Sequence, residues 1–410
     1  MNYTKIGIIW IDDNKALGSG SRLVDNGYEC ISSHPNEVKK INLNNLKSNY
    51  IYITNIKPNN YKRFGLDRFR NINSSKFLGV TLSTIAIELG LSEKLDEKLP
   101  IFYTVCQMLA NKLEAQFGIN LMNTEFTAIK EIHSKLLPDH QRNRPLLAMA
   151  SNLELERAIA NSMQKMQANS LRQSRDIQSI TSARFPRVPY TLTLLNLLYP
   201  ASNEYQINNN FNGRLIGQSE KSHIRGDDEV LQELIELAKT NCGFIEVEQV
   251  NTISKYNDYW PFGKELQATP PRRWAALPEA IDMANYSLLK LGSVYVTEGK
   301  KLPFAPTMPE VNSVKFLSYV NGLVNEVIWT SLGYSQMQDK YPSPISTYIR
   351  AYDRIMLRLK AKTFVDNQIE VSSFNTGAIR FYIDSTDSAE SKKLKDLILA
   401  EDMIPQIDLL

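Results

Sequence analysis

The chain has 410 residues, of which 43% are hydrophobic, and a formal net charge of +3 at pH 7. This length favours two or three domains, and the hydrophobic content excludes wholesale disorder. The apolar runs are shorter than the roughly 18 residues that a membrane-spanning helix needs, and the N-terminus lacks the pattern of a signal peptide. Three scattered cysteines fit no disulfide framework. We therefore expect a cytoplasmic protein without a membrane partner.

The first part of the chain contains two short apolar runs, "KIGIIWI" at residues 5–11 and "YIYITNI" at residues 50–56. Turn-forming residues bound each of them. Such runs are typical of buried strands in a parallel sheet. Between them, a short helix closed by Gly27 would lead to another strand at residues 28–32. This order predicts an α/β domain over residues 1–100 with a parallel, doubly wound sheet.

The acidic pair Asp12 and Asp13 directly follows the first of these strands, and "YIYITNIKP" supplies a later one. In this order residues 4–85 resemble the receiver domain of bacterial response regulators. The resemblance places Asn55 where that family has its phosphate-accepting aspartate, and an amide is a poor nucleophile. It therefore implies a degenerate receiver-like domain that docks a protein partner. An unrelated α/β domain with a similar opening is the alternative.

Asp12 and Asp13 are also candidate ligands for Mg²⁺, because carboxylates at the carboxyl end of a strand suit a cation that prefers oxygen. A metal-dependent phosphoryl-transfer or nuclease activity would need further acids that converge in space. The alternative is a pair of solvated or helix-capping acids. The sequence contains neither a phosphate-binding loop nor a nucleotide fingerprint, so we expect no other cofactor.

Residues 101–185 are predicted to form a helical region. The stretch 146–184 contains neither glycine nor proline, and its apolar residues recur every three or four positions. Prolines and an asparagine-rich loop then indicate a domain boundary near residues 185–215. Beyond it, helical patterns alternate with strands such as "QIEVSS" and "IRFYID", which predicts an α+β domain over residues 215–410.

A row of arginines is the strongest indication of a ligand. Ser343 and Pro344 predict the start of a helix over residues 345–362. Arg350, Arg354 and Arg358 recur every four residues along it and form one stripe, and Lys362 follows behind them. The face expected to point inward contains Ile349, Tyr352, Met356 and Leu359. Guanidinium groups about 6 Å apart along a helix suit bidentate phosphate contacts. The alternative is a solvated face whose arginines pair with acids such as Asp353.

Two further clusters mix arginine with aromatic residues: Arg184, Arg187 and Tyr190 in "SARFPRVPY", and Arg272, Arg273 and Trp274 in "TPPRRWAA". Such mixtures allow phosphate contact and base stacking together. We therefore expect a non-enzymatic protein that binds DNA or RNA as a subunit of a larger assembly, of the kind found in phages, plasmids or defence systems. A scaffold that uses the receiver-like domain is the second hypothesis, and an enzyme that uses Asp12 and Asp13 is the third.

Overall fold

A computed structural model describes residues 5–11, 27–31, 34–73, 76–77, 80–118, 132, 146–147, 152–162, 178–202, 204–218, 224–252, 272–285, 287–302, 315–332, 343–384 and 386–405. The chain forms two compact units. Unit 1 contains residues 1–135 and 307–331, and unit 2 contains residues 136–306 and 332–410. The fold is mixed α and β, as predicted, and the chain leaves unit 1 after residue 135 and returns to it at residue 307.

The described residues include ten α-helices: α1 (Tyr61–Phe64), α2 (Leu82–Leu89), α3 (Leu95–Phe117), α4 (Asn152–Ser162), α5 (Arg187–Leu195), α6 (Asp228–Ala238), α7 (Leu277–Ala284), α8 (Lys315–Leu332), α9 (Pro344–Asp366) and α10 (Ser388–Ala400). Side-chain caps begin α6 and α9, two of the longer ones, and the one at Ser343 is as expected from the sequence. Asp227 accepts from the Glu229 amide at 2.9 Å, and Ser343 accepts from the Ser346 amide at 3.0 Å. None of the described helices combines the length and hydropathy that crossing a bilayer requires.

Unit 1 contains a five-stranded sheet of order β3-β2-β1-β4-β5, built from β1 (Lys5–Ile11), β2 (Gly27–Ile31), β3 (His34–Ile41), β4 (Tyr50–Thr54) and β5 (Ile72–Asn73). β1, β4 and β5 run parallel, whereas β2 and β3 are antiparallel to their neighbours. The predicted parallel sheet is therefore wrong at β2, which runs opposite to β1, and β3 is an additional strand that was not predicted. Only two residues separate β2 from β3, so these two strands must pair antiparallel, because a parallel connection needs about a dozen residues or more.

Both faces of β1 are buried, which accounts for its continuous apolar run. On one face the Trp10 ring stacks on Phe102 of α3, with 6.1 Å between the centroids. On the other face Ile9 and Ile11 join a core that includes Tyr52 of β4. Two short strands, β6 (Lys76–Phe77) and β7 (Val80–Thr81), form a separate pair.

The first sheet of unit 2 has the order β14-β13-β15-β11-β8, and two short strands also pair with β15. Its strands are β8 (Leu146–Leu147), β10 (Tyr199–Pro200), β11 (Glu204–Asn208), β12 (Leu215–Ile216), β13 (Asn241–Thr252), β14 (Arg272–Ala276) and β15 (Ser287–Lys300). Helices α6 and α7 pack on it through Val230, Leu234, Ala280 and Met283. This packing fixes α7 beside the sheet, and α7 also carries the acids described below.

The second sheet of unit 2 has the order β16-β17-β9-β18. Its strands are β9 (Gln178–Arg184), β16 (Glu370–Asn375), β17 (Ala378–Asp384) and β18 (Ile404–Pro405). The prediction of helix throughout residues 146–184 is wrong at β9. There Thr181 and Ala183 are buried while Ile180 is exposed, a two-residue alternation that pairing with β17 enforces.

Candidate nucleic-acid interface

The predicted arginine stripe does not face water along its length. Arg354 and Arg358 are only 6% and 5% exposed. Nε and Nη2 of Arg354 donate to the two carboxylate oxygens of Glu279, at 2.5 and 2.7 Å. Arg358 forms a similar two-bond contact with Asp282. The expectation of an exposed row is therefore wrong for these two residues, because α7 places two acids against them inside unit 2.

The inward face of α9 is rotated from the predicted one. Ile349 is buried as expected, but Leu359 is 48% exposed. The buried positions of the second half of α9 instead include Leu357, Ala361 and Phe364. Farther along, Lys362 donates to Asp366 at 2.6 Å on the surface of the same helix. Hydropathy cannot predict this orientation, since two charged side chains are buried in place of apolar ones.

The two aromatic residues predicted to stack on bases instead stack on other rings of the protein. Tyr190 is 4% exposed and its ring stacks on Phe185, with 4.7 Å between the centroids. Trp274 is 8% exposed and stacks on Tyr295 at 5.0 Å. Both aromatic side chains therefore belong to the interior of unit 2. Their neighbour Arg187 is also buried, at 4% exposure. The backbones of Arg272 and Arg273 lie in β14, and their side chains lie outside the described residues.

The arginine stripe and the cluster that contains Tyr190 nevertheless meet, at the turn between β16 and β17. The carboxylate of Asp353 accepts hydrogen bonds from the amides of Thr376 and Gly377, at 2.7 and 2.9 Å, and from the Tyr190 hydroxyl. Arg350 donates to the Thr376 hydroxyl at 3.4 Å. Burial raises the pKa of Asp353, although these donors and Arg350 act in the opposite direction. Burial also lowers the pKa of Arg350.

This turn is held in an unusual conformation. Thr376 and Gly377 have φ values of 50° and 70°, in the left-handed region that a β-branched residue rarely adopts. Holding a threonine there costs on the order of 1–3 kcal/mol, which the surrounding contacts must offset. The Asp353 carboxylate satisfies both turn amides and so fixes the hairpin against α9 and α5. The turn lies at the end of the sheet where β9 finishes at Arg184.

The second sheet of unit 2 has one face covered by helices, and on its other face Ile180 and Arg380 are exposed. Helices α9 and α10 both pack on the covered face, where Ala183, Ile379, Phe381 and Ile383 are buried. Since side chains alternate along a strand, the intervening residues of β9 and β17 point to the other side. Ile180 is 52% exposed there. We call the side chains on this other side the open face, and they are Ile180, Ser182, Arg184, Ala378, Arg380 and Tyr382.

The open face presents a cation beside an aromatic ring. In the register of β9 and β17, Arg380 lies opposite Ser182 and Tyr382 lies opposite Ile180. Arg380 is exposed and forms no hydrogen bond or ion pair in the part of the chain that the structure describes. Tyr382 is half-buried and also lacks such a contact among the described residues. Arg184, half-buried, lies diagonally from Arg380, at a separation of about 7–8 Å.

Carboxylates lie toward one side of the open face. Glu370 of β16 is opposite Tyr382, and Asp384 ends β17 and accepts from the Thr386 amide and hydroxyl. The arginines therefore lie toward the turn and the acids toward the opposite end. The sequence analysis did not identify Arg380 and Tyr382. The alternation in "AIRFYID" was the available signal, since it separates the apolar Ile379, Phe381 and Ile383 from the residues between them.

The predicted metal ligands Asp12 and Asp13 lie outside the described residues. Among the residues that are described, no group of three or more His, Cys, Asp or Glu side chains is arranged to hold a metal ion. Asn55 has a clear structural role near this point. Its Oδ1 accepts from the Ile11 amide at 2.9 Å and its Nδ2 donates to the Ile11 carbonyl at 2.8 Å. The amide thus ties the end of β1 to the end of β4.

Comparison with known proteins gives only distant structural similarity. No family model and no curated protein matches the sequence. The chain is similar to Phi29 DNA polymerase complexed with primer-template DNA in its post-translocation binary complex, with a TM-score of 0.46 and 10% identity over 92% of this chain and 80% of that one. The ternary complex with primer-template DNA and incoming nucleotides gives a TM-score of 0.42.

A second similar structure is the family B DNA polymerase from the hyperthermophilic archaeon Pyrobaculum calidifontis. Its TM-score is 0.26 at 11% identity, over 98% of this chain and 56% of that one. Similarities of this degree assign neither an activity nor a ligand to the chain. The functional argument therefore depends on the residues of the open face.

Proposed function

We propose that this protein binds nucleic acid on the open face of unit 2. Arg380 is the observation that carries the proposal, because it is exposed, uncompensated among the described residues, and adjacent to an available aromatic ring. Guanidinium groups bind phosphates in a bidentate manner, and an aromatic side chain beside them offers a stacking surface. The proposal concerns binding and requires no catalytic step.

Arg184, diagonal to Arg380 on the open face, extends the positive charge toward the turn, whereas Arg350 lies on α9, which packs on the covered face. Arg184 is half-buried, so part of its side chain is exposed there. Arg184 and Arg380 are diagonal neighbours about 7–8 Å apart, so both lie on the same part of the open face. Among the described arginines that were named from the sequence, Arg184 remains in the proposed site. Arg354 and Arg358 instead stabilise the packing of α9 on α7.

The experiment measures fluorescence anisotropy of short labelled oligonucleotides of mixed sequence, as DNA and as RNA. Arg380→Gln is compared with Arg157→Gln, which removes another exposed arginine of unit 2 without a described partner. We expect Arg380→Gln to weaken binding and to reduce the salt slope, log Kd against log salt, by about one, since one phosphate contact is lost. Arg157→Gln leaves both unchanged. Equal effects of the two variants, or wild-type binding that ignores salt, would refute the proposal.

A further inference from the structure

We infer that the ligand of the open face is single-stranded nucleic acid, and that Tyr382 stacks on one of its bases. This inference rests on the proposed function and adds the class of ligand. Its basis is the pairing of Tyr382 with Ile180 on adjacent strands. Directly opposed side chains lie about 4.5–5.5 Å apart at Cβ, so an aliphatic group flanks the ring and extends the apolar platform.

The platform is available for a flat partner. Tyr382 takes part in neither a ring contact nor a hydrogen bond among the described residues, and 52% of the neighbouring Ile180 is exposed. An exposed isoleucine beside this ring keeps apolar surface in contact with water, which is unfavourable and adds nothing to the core. This arrangement contrasts with Tyr190 and Trp274, whose rings are buried against Phe185 and Tyr295.

Charge on the open face defines the path of the strand. Arg380 and Tyr382 are two residues apart on β17, about 7 Å along the strand. A phosphate at Arg380 therefore places an adjoining base within reach of the ring. Glu370 lies on the other side of Tyr382, in β16, so the exposed positive charge of the face lies on the side of Arg380. The sugar–phosphate backbone accordingly runs on the side of Arg184 and Arg380, with bases directed toward Tyr382 and Ile180.

A duplex does not satisfy this geometry, because its base faces are stacked on one another and only its edges are accessible. Stacking on a side chain requires an unpaired base, as in proteins that bind single strands through aromatic platforms. From Ala378 to Tyr382 the face extends about 13 Å, enough for two or three nucleotides. The expected site is therefore short, tolerant of sequence and specific for unpaired bases.

The test compares one sequence as a single strand and as a blunt duplex, with wild-type protein, Tyr382→Phe, Tyr382→Leu and Arg380→Gln. We expect the single strand to bind on the order of ten-fold or more tightly than the duplex. Tyr382→Leu removes most of this preference, whereas Tyr382→Phe, which keeps the ring, retains it. Arg380→Gln weakens the binding of both the single strand and the duplex. Thermal melting of each variant verifies that it is folded, and Ile180→Ser tests the same platform independently.

The outcomes separate the two proposals. If neither ligand binds, both are wrong. If Arg380→Gln weakens binding but the duplex binds as tightly as the single strand, the proposed function stands and the inference about single strands is overturned. The same conclusion follows if Tyr382→Leu and Ile180→Ser both leave single-strand affinity unchanged.

Discussion

The buried pair of Arg354 and Glu279 offers a direct test of why the arginine stripe is structural. Their side chains are 7% and 1% exposed, and two short hydrogen bonds join them. Arg354 also donates to the carbonyl of Ser162 at 2.9 Å, which links α9 to α4. Arg354→Met leaves the Glu279 carboxylate buried without its counter-ion. Removing one partner of such a pair costs about 3–5 kcal/mol of folding free energy.

The double variant Arg354→Met/Glu279→Leu should recover part of this loss, because an apolar pair of similar size replaces the ion pair. The Ser162 carbonyl still loses a donor, so a residual cost of about 1–3 kcal/mol remains. Urea denaturation followed by circular dichroism measures all three proteins, with Arg157→Met as the exposed control. The affinity of the folded double variant for oligonucleotides, measured without urea, should equal that of the wild type. Unaltered stability of Arg354→Met together with weakened oligonucleotide binding would refute the reasoning.

Three further predictions follow from local contacts. Gly377→Ala should destabilise the protein by more than about 1 kcal/mol, because its φ is +70° and the added Cβ would lie 3.0 Å from the Tyr190 ring; Gly65→Ala, at φ +66° with open space around it, should cost less in the same urea titration. Asn55→Asp removes the donor to the Ile11 carbonyl and should lower stability by about 1–3 kcal/mol; an unchanged melting temperature would contradict this role. Burial raises the pKa of Cys106 to about 12, so its thiol stays protonated at pH 8 and should react with a maleimide only after denaturation; rapid labelling of the native protein would show that the residue is accessible.

The sequence predicted elements better than it predicted their partners. The strands that begin at Lys5 and Tyr50 and the caps at Asp227 and Ser343 are recognisable because local patterns determine them. The direction of β2 and the strand at residues 178–184 depend on pairing with distant segments, which a single sequence does not reveal. A polar stretch such as "HPNEVKKI" forms β3 at the edge of its sheet, where burial is slight.

The candidate site illustrates the same limit. A four-residue spacing identified Arg354 and Arg358 as a stripe, but only the fold shows that Glu279 and Asp282 lie against it. Spacing alone therefore cannot distinguish a phosphate-binding row from a set of internal ion pairs. Arg380 was overlooked because it is isolated in the sequence, and its neighbours on the open face come from a strand about 200 residues earlier.

Photo-crosslinking tests the central claim most directly. A single-stranded oligonucleotide with halogenated pyrimidines is irradiated in complex with the full chain, and mass spectrometry locates the modified peptides. Stacking brings the base against the Tyr382 ring, so we expect adducts in the peptide that contains residues 378–384, with Tyr382→Leu abolishing them. Adducts that map only to segments outside residues 178–184 and 370–384, and persist in Tyr382→Leu, would contradict binding on the open face.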